Sequence, residues 1–173
     1  MTRVFAAAGA ALALAGAAAG AGQDSYNLTA TLRARFEVPR PTGVPAGAAG
    51  AFTGKAVELA GGRVQVTWRL TFSKLSGRAV AAHIHLGRPG RAGGVLAALC
   101  GPCRSGQRGR VTITRAQLRA IRAGAAYVNV HTARNPAGEI RGQLKATAAG
   151  PGSSGEPAPG PPPAPPPYPP YEP

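Results

Sequence analysis

Three histidines are the residues of this chain best suited to chemistry, and all three fall in segments where apolar and polar residues alternate. His83 and His85 stand two apart in Ala81-Ala82-His83-Ile84-His85. In an extended strand they project to one face while Ile84 projects to the other. His131 closes Tyr127-Val128-Asn129-Val130-His131 and by the same alternation shares a face with Asn129 and Tyr127. Two imidazoles at i and i+2 on one strand, joined by a third from a neighbouring strand, can converge on one ion. Such a set suits copper, which intrinsic affinity favours, and zinc less well. The plain alternative is strand histidines that are exposed or hydrogen-bonded, since nothing in the sequence makes the two strands neighbours. Glu139 is the one carboxylate placed to support a ligand, and Arg141 competes for it as an ion-pair partner.

The second chemical signal is Cys100-Gly101-Pro102-Cys103, spelled like a thioredoxin redox centre. That chemistry needs a strand-to-helix turn in a parallel sheet. Here the motif is expected in a glycine-rich loop, followed by Arg104-Ser105-Gly106, so a short-loop disulfide between Cys100 and Cys103 is expected, ahead of a redox pair or half a zinc site. The mature chain's one aspartate, Asp24, stands at its start, so no Ser-His-Asp set is visible and no catalytic residue is assigned. The few acids also argue against paired-carboxylate glycoside chemistry.

The elements that must position these residues are strands. Tyr26, Leu28, Ala30, Leu32, Ala34 and Phe36 form one apolar face. Val64, Val66, Trp68, Leu70 and Phe72 form another, with a partner strand expected at 51–59 across a turn at Gly61-Gly62. Further strands are expected at 79–86, 109–114, 126–132 and 139–146. One segment breaks the pattern: Leu118 and Ile121 sit at helical spacing between an N-cap at Thr114 and a stop at Gly124. About seven strands and one short helix before the His131 strand predict an all-β fold, an antiparallel Greek-key sandwich or barrel.

Residues 1–22 read as a cleavable signal peptide: Arg3, then an apolar run from Val4 to Ala19, then small-residue exits. Residues 24–148 make one domain. Residues 149–173 form a tail holding twelve of the eighteen prolines, a composition that favours extended, disordered chain. The expected location is therefore secreted, whether periplasmic or extracellular, with no transmembrane segment in the mature chain. Net charge is +14, and seventeen of the twenty basic residues are Arg. Outside the cell such a field attracts acidic polymers in a salt-dependent way. Nucleic acid is not an expected partner, because no RNA-binding aromatic motif or helix-turn-helix pattern accompanies the charge.

Two blocks carry a family resemblance. Ala82-His83-Ile84-His85-Leu86-Gly87-Arg88-Pro89-Gly90 resembles the AHIH-x-G-x-x-G signature of CHRD (chordin-type) domains. Tyr127 to Thr132, followed by Asn135-Pro136 and Gly138 to Gln143, resembles that family's YVNVHT…NP-x-GEIRGQ block, and Glu37-Val38-Pro39 its opening. The resemblance implies an immunoglobulin-like or superoxide-dismutase-like β fold, usually extracellular, without a settled biochemical activity. A looser similarity links His83, His85 and His131 to the copper ligands of copper/zinc superoxide dismutases, but a bridging histidine and an aspartate-rich zinc half are missing. The expected function is a secreted binding module for an extracellular protein or acidic polymer, holding a metal ion, copper before zinc. Copper-dependent oxidoreductase chemistry and polyanion or cell-surface adhesion are the alternatives.

Overall fold

The computed structural model describes residues 24–149. The expected signal peptide and all of the proline-rich tail but Ala149 lie outside the described residues. Within them the chain forms β1 (Ser25–Arg33), β2 (Ala49–Glu58), β3 (Arg63–Ser73), β4 (Ala79–Leu86), β5 (Val95–Cys100), β6 (Gln107–Thr114), α1 (Arg115–Arg122), β7 (Ala126–Thr132), β8 (Ile140–Gln143) and β9 (Lys145–Ala148). All pairings are antiparallel, in the order β5-β4-β7-β8-β1-β2-β3-β6, with β9 also on β1. The terminal strands β5 and β6 lie against each other, so the sheet nearly closes into a barrel. Around that closure β3-β6-β5-β4 has Greek-key order. The fold is all-β.

Alternation drives this architecture. Leu28, Leu32, Phe52, Leu70, Ile84 and Ile140 point inward with under 2% of their surface exposed. Each such side chain contributes about 1.5–3 kcal/mol relative to exposure. Leu118 and Ile121 of α1 join the same core. The helix begins with a capping box: the Thr114 hydroxyl accepts from the Gln117 amide, and the Gln117 side chain accepts from the Thr114 amide.

Three local expectations are corrected. The first strand stops at Arg33 and turns through a short 3-10 segment at 34–36, so Phe36 is 44% exposed and off the buried face. The stretch before the cysteines is strand β5; it is alanine-rich and half-buried, which mutes the alternation that would announce it. The last expected strand divides at Leu144, whose amide bonds to the Ala126 carbonyl while its side chain enters the core.

Candidate metal centre

Register brings the histidines together. β4 and β7 are hydrogen-bonded neighbours, with His83 opposite Asn129, His85 opposite Tyr127 and Ala81 opposite His131. Ile84, Val128, Val130 and Ile140 occupy the barrel interior. The alternate residues His83, His85, Tyr127, Asn129, His131 and Arg141 therefore share the outer face. Loops 87–94 and 133–139 fold over that face, which is why His85 and His131 keep only 9% and 8% of their surface exposed. His83, partly buried, is the member nearest solvent.

One ring nitrogen from each histidine lies within 4.8 Å of the others. His83 Nδ1 and His131 Nε2 are 3.1 Å apart. An ion bonded at ~2.0–2.1 Å holds its nitrogens between about 3.4 Å (tetrahedral) and about 4 Å (trans) apart, so the widest pair must close by roughly 0.7–1.4 Å. The rings are oriented for this from behind. His85 Nδ1 donates to the Gly93 carbonyl at 2.9 Å, and His131 Nδ1 donates to the Pro136 carbonyl at 2.9 Å. These bonds select the tautomer with a lone pair on Nε2, as carbonyl partners do behind metal-bound imidazoles. His85 Nε2 is buried and has no hydrogen-bond partner.

Electrostatics favour the neutral form of two of the three rings, His83 and His131. Burial lowers the His83 pKa, and the nearby His131 and His85 rings add to the effect. Burial also lowers that of His131, partly opposed by its bond to Pro136 and helped by His85. A neutral imidazole is the form that ligates.

Sequence reasoning had no means of naming the two backbone carbonyls. The available signal was the glycine-rich stretch 87–94. A Cβ at Gly93 would collide with the Leu86 carbonyl oxygen, so only glycine lets this loop fold back onto His85. Tyr127 was also missed as part of the site; it stacks on His85 with ring centroids 5.0 Å apart and lies 3.4 Å beneath the Arg141 guanidinium.

The model of the CHRD domain family matches residues 28–144. This chain belongs to the CHRD domain family. No curated protein and no solved structure matches it. In this CHRD domain Glu139 and Arg141 take separate partners. The buried Glu139 carboxylate accepts from the Ser76 amide and hydroxyl, the Thr132 hydroxyl and the Asn135 amide. Burial pushes its pKa up, but those bonds outweigh it and hold the carboxyl below its ordinary value. Arg141 donates instead to the Arg88 and Arg91 carbonyls, so the expected Glu139–Arg141 ion pair does not form. Cys100 and Cys103 are joined in a disulfide at the end of β5, and the motif is not followed by a helix.

Proposed function

We propose that this CHRD domain is an exported binding module that holds one copper ion between His83, His85 and His131. The observation that carries this reading is the pair of Nδ1–carbonyl bonds that leave a lone pair on Nε2 of His85 and of His131, the first buried without a partner and the second 3.1 Å from His83 Nδ1. Two well-anchored ligands and one near solvent leave room for a further ligand from water or from the module's partner. The N-terminal segment supports export. Among the described residues no helix is long and apolar enough to cross a membrane.

The test is copper loading of the mature protein, read by elemental analysis and spin resonance. Near-equimolar copper with nitrogen hyperfine structure is expected, and His83→Ala, His85→Ala and His131→Ala should each lose it. Wild-type retention in all three variants, or no retained copper in the parent, would sink the proposal. A superoxide-decay assay on the loaded protein separates a redox enzyme from a binding module. Zinc competition fixes the order of preference.

A second reading, adhesion to an acidic extracellular polymer, is favoured by charge. The segment 24–149 holds every Lys and Arg except Arg3, against the four acids Asp24, Glu37, Glu58 and Glu139. It predicts retention on an anionic matrix that falls steeply with salt.

A further inference from the structure

A cleft of about 750 Å3 lies between the 87–94 loop, β8, the start of β9 and the segment from Thr29 to Arg40. It falls within the ~300–1,000 Å3 typical of ligand pockets. Arg33, Arg35, Arg40, Arg141 and Lys145 line it, against one acid, Glu37. Arg141 is 1% exposed, yet its Nη1 has no hydrogen-bond partner. A buried guanidinium nitrogen that lacks a hydrogen-bond partner, in a residue lining a cleft, can take an anionic oxygen, and the exposed guanidinium forks beside it pair with carboxylate or sulfate in a bidentate way.

The other lining groups narrow the ligand. Thr29 and Thr31 offer hydroxyls, which both donate and accept as sugar hydroxyls require, and Gln143, whose amide nitrogen is held by the Gly87 and Gly124 carbonyls, offers an acceptor oxygen. Phe36 adds a partly exposed ring to the lining, with the Arg35 guanidinium 4.8 Å from its centre. β1, which runs along the cleft, is paired with β2 on one side and with β8 and β9 on the other. Among the described residues β1 thus has neighbouring strands on both sides, which disfavours a peptide extending the sheet here.

We infer that this cleft binds a segment of an anionic polysaccharide, its carboxylate or sulfate groups seated on the Arg33–Arg35–Arg40–Arg141 cluster. This inference rests on the adhesion reading and gives it a defined site. It also explains why the strand that began the domain breaks at Arg33: the 3-10 turn swings Phe36 and Arg35 outward to form the rim.

The experiment is calorimetry on the mature protein at near-physiological salt, with a heparin hexasaccharide, an oligogalacturonate, a neutral maltohexaose and a glutamate hexamer as probes. The first two separate sulfate from carboxylate recognition. Replacing the exposed pair Arg35 and Arg40 by Ala should weaken binding of the preferred anionic sugar by about tenfold or more, as expected for guanidinium–anion contacts. Replacing Arg108 and Arg110 on β6, which is separated from β1 by β2 and β3, removes the same charge and should change it by less than about twofold, the cost of screened long-range attraction. Equal losses in both double variants would overturn the site while leaving diffuse adhesion intact. Tighter binding of the glutamate hexamer or of maltohexaose would overturn the ligand class. A parent protein that binds neither anionic sugar would overturn the site and the adhesion reading together.

Discussion

Glu37 offers the sharpest quantitative test of this structure. It is 3% exposed, its Oε1 accepts from the Val38 amide at 3.1 Å, and its Oε2 has no partner. A Cβ on Gly138 would strike that oxygen, so the carboxyl is pressed against backbone where water does not reach. Burial raises its pKa from 4.5 to about 7, against the opposing pull of the Val38 amide, the Arg141 charge and the Asn129 side chain. The folded protein thus keeps this proton over a range in which the unfolded chain has released it. Below about pH 4.5 both states are protonated and the stability is fully present; it is lost as pH rises through about 7, and the full loss above that is about 3 kcal/mol. Glu37→Gln removes the titration while keeping the shape. Urea unfolding of both proteins from about pH 4 to about pH 8 should show the variant gaining on the parent by roughly 3 kcal/mol, with most of the gain between about pH 4.5 and 7. The lowered histidines run the other way, adding stability above their unfolded pKa that is lost on acidification, but they are common to both proteins and cancel in the difference. A stability difference that stays flat with pH would refute the buried, under-bonded carboxyl.

Three further outcomes follow from named contacts. Gly93→Ala forces the loop off Leu86 and withdraws the carbonyl that orients His85, so copper affinity should fall by about 10–100-fold in a competition titration, with the three ligands untouched. Thr114→Ala removes the helix cap and should cost about 1 kcal/mol in urea unfolding, with copper binding unchanged. Cys100→Ser with Cys103→Ser opens a bridge that spans only three residues, so the loss of stability should be on the order of 1–2 kcal/mol, and exported protein should still load copper.

Much of this was legible in the sequence because a strand writes its burial with period two. The faces of β3 and β4, the short helix and the shared face of Tyr127, Asn129 and His131 could all be read from residue order. The adjacency of β4 and β7 could not, because pairing across more than forty residues depends on how the whole barrel closes. β5 hid because its alanines carry little contrast between its two faces. Glu37 hid for a different reason. Its place beside Arg141 and Gly138 depends on the turn that ends β1, whereas alternation continued past Phe36 puts Glu37 opposite the apolar face.

The separate partners of Glu139 and Arg141 show how the two residues serve the histidines at one remove. Glu139 gathers Ser76, Thr132 and Asn135, and Asn135 in turn exchanges hydrogen bonds with the backbone of Thr42. This knot fixes the 133–138 loop, and that loop carries the Pro136 carbonyl to His131. Arg141 holds the 87–94 loop through the Arg88 and Arg91 carbonyls, and that loop carries the Gly93 carbonyl to His85. Glu139, just before β8, and Arg141, within it, therefore each pin the loop that sets one imidazole tautomer. An ion pair between them would have satisfied both charges and left both loops unheld. Their separation is what turns three strand histidines into a preorganised set, because a ligand is only as well placed as the group that fixes its ring.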